Sequence, residues 1–108
     1  EKLAKIDTFH VEQYAYMGER LKQTQIEDDR SLFDETTLVI CSGISHGDKH
    51  NFATLQALIA CGGFKMGHHF TYEGDRPMAD LWLTMLHAHG VKQERFADSE
   101  HLVKEVLA

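Results

Sequence analysis

The stretch TTLVICSGISHGDKHNFATLQALIACGG, residues 36–63, constrains the fold more than any other part of the chain. Thr37 to Cys41 (TLVIC) is β-branched and aliphatic at consecutive positions, the pattern of a strand covered on both faces. Gly43 and Gly47 then break the run, and glycine permits tight turns and close approach of backbone to a ligand. Leu55 to Ala60 (LQALIA) reads as a second short strand, with a helix starting near Asn51 as the alternative. Between the two lie His46, Asp48 and His50, within five residues of one another and just where the first strand runs out. Ligands of open α/β sheets bind beyond the carboxyl ends of strands. The loop is therefore placed for chemistry.

The flanking segments read as helices and connections. From residue 2 to about 27, Leu3, Ile6, His10, Gln13, Met17 and Leu21 recur at steps of three and four, with Phe9, Tyr14 and Tyr16 widening the stripe. This predicts a packing helix with Gly18 as its weak point and His10 as a hydrogen-bonded packing residue. Ile26 to Glu35 is acidic and reads as a solvated connection, pinned by Leu32 and Phe33, with a cation site at Asp28 and Asp29 as the rival reading. Lys65 to Asp75 reads as a loop or hairpin. Pro77 suits a first helical turn, and Met78, Leu81, Trp82, Met85, Leu86 and His89 keep one face as far as Gly90. Trp82 and the methionines are expected in the core, and His87 and His89 gain from the helix dipole. Asp98 or Ser99 is expected to cap a last short helix carrying Leu102, Val103, Val106 and Leu107.

The order helix, strand, strand, helix, helix predicts an α/β fold with two to three strands flanked by helices. So few strands seldom make a stable sheet alone. Their pairing partners are expected in sequence outside this stretch or in another protein subunit. A chain of 108 residues is one domain at most. It opens on Glu1 with residues that already look helical, which points to a piece of a longer protein.

Charge and hydropathy exclude some partners. A net charge of −6 without a Lys/Arg cluster argues against nucleic acid. No run reaches the ~18 apolar residues of a membrane span. The two cysteines, Cys41 and Cys61, each end an apolar strand and could be sheet neighbours. They read as small buried hydrophobes, with a disulfide or a thiolate metal site as alternatives. Eight histidines are the compositional oddity.

Imidazole and carboxylate are standard ligands of zinc and related ions. In an extended loop the alternate residues His46, Asp48 and His50 would face the same way and supply two ligands to one ion. His68 or His69, or groups elsewhere, would have to complete a site of three or four. The other reading is a polar loop that only hydrogen-bonds at a strand end. GISHG satisfies Gly-x-Ser-x-Gly at Ser45, but the adjoining HGDKHN is no helix start, so a nucleophile elbow is not indicated.

At TTLVICSGISHGDKHN the chain resembles the C-terminal part of the HXXSHH family, bacterial proteins of unknown function related to the alkaline phosphatase and sulfatase superfamily. The likeness extends over nearly the whole chain. KIDTFHVEQYAYMGERLKQ is similar to that family's long helix, and LIACGG to its strand ending in glycines. GHHFTY is similar to its G-R-H-x-x-Y segment, and RPMADLWLTMLHAHGVKQERFADS to its last helix and tail.

The resemblance implies a three-layer α/β/α sandwich with a mostly parallel sheet, of which residues 1–108 would be a single C-terminal part. It implies a divalent metal (zinc, calcium or manganese) at His46, Asp48 and His50, with His69 in second rank. Sulfatase-like relatives carry T-S-D-H-G here, so Ser45 stands where they have a ligand Asp. Against the HXXSHH pattern, His46 replaces Asp, Asp48 replaces Asn and Phe52 replaces a second His, while His50 matches. The motif that names the family is absent, and so is a segment bearing a nucleophile. Two functions are expected on this basis. One is a part of a metal-dependent phosphate or sulfate ester hydrolase, in a periplasmic or extracytoplasmic location. The other is a non-catalytic structural or interaction subunit that keeps the fold.

Overall fold

A helix of 22 residues, α1 (Lys2–Gln23), opens the chain. The computed structural model describes residues 1–61 and 63–108. These fall into two compact units: Glu1–Ser42 with Gln56–Gly62, and Gly43–Leu55 with Gly63–Ala108. Among the described residues the architecture is mixed α/β, with two α-helices and two small antiparallel sheets.

In the first unit α1 ends at Thr24, whose backbone is already extended and whose hydroxyl donates to Arg20 O at 2.9 Å. The helix therefore stops short of residue 27, the expected end. Gln25–Glu27 forms β1 instead and pairs with β2 (Arg30–Ser31). The stop coincides with the extended backbone of Thr24 and with the pairing of β1 and β2. The acidic segment comprises this hairpin and the turn at its C-terminal end. Arg30 holds Glu27 at 3.1 Å and Glu35 at 2.9 Å. The N–H and hydroxyl of Ser31 both donate to Asp34 and hold its carboxyl below the usual range.

Strands β3 (Leu38–Cys41) and β4 (Ala57–Ala60) pair antiparallel, with Leu38 opposite Ala60 and Cys41 opposite Ala57. The resemblance implies a mostly parallel sheet; this pair is not parallel. Helix α1 rests on β3 through its C-terminal half. Gly18 is buried there beside Leu38 and Phe33, and the Tyr14 hydroxyl donates to Leu38 O at 2.9 Å. Partial burial raises the Tyr14 pKa above its ordinary 10.0, helped by the nearby Cys61 thiol. Residues of β3 are half-buried or exposed rather than covered on both faces. The N-terminal half of α1 is exposed throughout, so His10 packs only edge-on to the neighbouring Phe9 ring.

The antiparallel register also corrects the expected cysteine neighbours. Cys61 lies beside Thr37, 3.2 Å between Oγ1 and Sγ, whereas Cys41 lies at the other end of the hairpin. Four residues of strand span roughly 13 Å, beyond the ~7 Å a disulfide allows. The two form no disulfide; Cys61 is buried and Cys41 exposed.

In the second unit the core is Phe64, Ala79, Leu83, Val103 and Val106. Full burial of the Phe, Leu and Val side chains among them stabilises by about 1.5–3 kcal/mol each. Helix α2 (Ala79–Ala88) turns Ala79, Asp80, Leu83 and Thr84 inward. Trp82 and Met85, expected in the core, are only half-buried and border an open apolar groove with Leu86, His89 and Phe96. The expected last helix is reduced to a 3-10 turn at Lys104–Val106. Ser99 caps no helix: Phe96 and Ser99 close a tight turn with Ala97 in the left-handed region, and the Ser99 hydroxyl donates to Asp80 while accepting from His101 N at 3.4 Å.

Candidate functional site

The loop after β3 belongs to the second unit and is a closed turn rather than an extended segment. His46 and Asn51 form an antiparallel bridge, with Asn51 N donating to His46 O at 3.3 Å. Ser45 seals the base: its N–H donates to Asn51 O at 2.7 Å and its hydroxyl to the same oxygen at 2.8 Å. Ser45 is therefore a structural hydroxyl, not an elbow nucleophile. Asn51 Oδ1 accepts from Ala53 N at 2.6 Å, an Asx turn that ends the loop.

This closure overturns the expectation that His46, Asp48 and His50 face one way. That alternation requires extended backbone. Here residues 47–50 are in turns, and His50 adopts a φ of 48°. The structure brings together two of the three. His46 Nδ1 lies 2.5 Å from Asp48 Oδ1, both side chains well exposed. His50 is not joined to them. His68 stacks on Phe70 instead, and among the described residues no three of His, Cys, Asp and Glu converge as a metal site.

The chemistry of the pair is specific. A carboxylate at Nδ1 selects, for the neutral imidazole, the tautomer with its proton on Nδ1 and the lone pair on Nε2. A carboxylate on one ring nitrogen fixes the tautomer and aims the other at a metal or a proton. At this exposure the contact adds at most about 1 kcal/mol to stability, so its consequence is orientation rather than folding.

A second polar cluster escaped the sequence reading. Asp80 is buried, and Arg76 Nε holds its Oδ2 at 3.0 Å while Ser99 Oγ holds its Oδ1 at 2.5 Å. Arg76 also reaches Glu105 at 3.5 Å and lies 4.7 Å over the Tyr72 ring. Partial burial raises the Tyr72 pKa, and so does its hydrogen bond to the Glu105 carboxylate. The Glu105 carboxyl lies below its usual range, chiefly through its own backbone N–H and then through Tyr72 and Arg76. The only signal was the four-residue separation of Arg76, just ahead of α2, from Asp80 in its first turn. Asp80 and Ser99 are enclosed and brace the fold, while Arg76, Tyr72 and Glu105 keep part of their surface exposed.

No helix among the described residues is long and apolar enough to cross a membrane. Compared with protein-family models, with curated proteins and with solved structures, the chain finds no match.

Proposed function

We propose that the turn after β3 contributes to a divalent-cation site, with His46 as a ligand through Nε2 and Asp48 as the carboxylate that orients it. The observation carrying this reading is the 2.5 Å contact between His46 Nδ1 and Asp48 Oδ1. The residues present fit part of such a site and do not complete it; further ligands come from His50 or His69 after rearrangement, or from another polypeptide. The resemblance to alkaline-phosphatase-like and sulfatase-like proteins supports the same reading. On it, the chain is one part of a three-layer sandwich in an exported ester hydrolase. A zinc, calcium or manganese ion bound there would supply Lewis acidity toward a phosphate or sulfate oxygen. This chain's own part is to hold and aim the imidazole.

Elemental analysis of the chain purified without chelator tests it. Bound metal is expected to disappear in His46→Ala, while Asp48→Asn weakens binding by about 10–100-fold, as for a supporting carboxylate. A folded chain with no bound metal overturns it.

A second reading is a non-catalytic interaction subunit. It is favoured by the bare apolar residues of α1, with Leu3 exposed to 76% and Phe9 to 55%.

A further inference from the structure

In the first unit, neither strand of the β3–β4 hairpin has a second strand beside it among the described residues. Strands β3 and β4 pair with each other and with no other strand. In an antiparallel pair, alternate residues of each strand turn their N–H and C=O away from the partner. Each edge therefore shows a short row of backbone donors and acceptors, and only another extended strand matches such a row. Edge strands are ordinarily guarded by Lys, Pro, a bulge or a covering loop. Leu38–Cys41 and Ala57–Ala60 contain no charge and no proline, and their register runs unbroken over four pairs.

Helix α1 distinguishes the two edges. It lies against β3, with Gly18 beside Leu38. Adjoining the stripe that makes this contact, Met17, Ile6 and Leu3 recur at helical spacing, all more than half exposed. An apolar face beside an unguarded edge is what a sheet with more strands would cover.

We propose that β3 pairs antiparallel with β3 of a second copy of this chain, giving a four-stranded sheet with both α1 helices on one face. Identical LVIC strands meeting antiparallel set aliphatic against aliphatic, with no like charges opposed. A two-fold axis through the junction makes the contact self-complementary and keeps the helices on the same side. Four strands also clear the limit below which a lone hairpin is marginal in water. About five large side chains (Leu3, Ile6, Phe9, Tyr16 and Met17), each offering on the order of 100 Å², with the strand edge approach the ~800 Å² per partner of a standard interface. This pairing deepens the interaction-subunit reading by naming a partner, and it is independent of the cation site.

Sedimentation equilibrium of the full chain, with amide hydrogen exchange followed at two concentrations, tests it. A mass of twice 12.3 kDa is expected, with alternate β3 amides gaining protection on dimerisation and the outer amides of β4 unchanged. The Ile6→Asp/Phe9→Asp double variant changes only exposed positions and is expected to raise the dimer dissociation constant about tenfold or more. Its helix content is read in parallel by circular dichroism. A folded chain that stays monomeric at roughly 100 µM, where weak specific pairs associate, overturns the pairing. If its β3 edge amides then exchange fast, an open edge for a different chain still stands. If they are protected in the monomer, no edge is open and the interaction-subunit reading fails too.

Discussion

The Ser99 hydroxyl donates to Asp80 Oδ1 across nineteen residues of sequence, at 2.5 Å, and both side chains are shut away from solvent. Asp80 and its helical neighbour Thr84 thereby clamp the C-terminal segment, because Thr84 Oγ1 also accepts from Val103 N at 2.8 Å. Ser99→Ala leaves the carboxylate short of one partner and is expected to destabilise the second unit by about 1–3 kcal/mol. Asp80→Ala strands Arg76 as well and is expected to cost about 3 kcal/mol, the lower end for a broken buried pair because Arg76 keeps some water contact. Chemical denaturation of the variants measures both. Two variants as stable as the parent would show that the clamp is absent in solution.

Gly18 sits mid-helix without needing glycine's freedom. A Cβ there would meet Leu38 and Phe33 side-chain atoms at 3.7 Å, ordinary contact. Gly18→Ala is expected to stabilise the first unit by about 0.5–1 kcal/mol through the backbone entropy of the unfolded chain. A loss of stability on thermal melting would mean that α1 sits too close to β3 to admit a methyl group.

Tyr14 gives an alkaline limb. Its pKa is raised on folding, by partial burial and then by Cys61. The stability it contributes is therefore fully present below its ordinary 10.0 and is lost as pH rises through the folded value. The phenolate also forfeits the donor to Leu38 O. Denaturation midpoints between about pH 8 and 12 should fall for the parent and flatten for Tyr14→Phe; equal slopes would refute the link.

Asp34 gives the acid counterpart. The Ser31 N–H and hydroxyl lower its pKa from the ordinary 3.8, so its contribution is present above that value and fades as pH falls below it. Asp34→Asn should be less sensitive than the parent at low pH. The carboxyl resonance of Asp34, followed by NMR, should titrate below the range of exposed aspartates.

What the sequence disclosed came from periodicity. Helix α1, the strand at Leu38–Cys41, the strand ending at Ala60 and helix α2 were all legible, because their apolar repeats exceed anything a loop would carry. Three features were not, and each depends on contacts remote in sequence. The antiparallel register separates Cys41 from Cys61, and no local pattern fixes it. The Ser99 hydroxyl chooses Asp80 over a helix cap only because Ala97 turns the chain. In the loop, H-x-D-x-H suggested three residues facing one way, but Ser45 and Asn51 close the turn and put His50 in a left-handed conformation. Local spacing therefore placed His46, Asp48 and His50 in one loop but could not show that His46 and Asp48 touch through their side chains.

The His46–Asp48 pair is tested most directly by zinc titration of the folded chain, read by calorimetry, beside Asp48→Asn and His46→Ala. A saturable site is expected, weakened by about 10–100-fold in Asp48→Asn and lost in His46→Ala. Zinc binding of equal strength in all three chains, or none in the parent, would contradict a metal role for the pair.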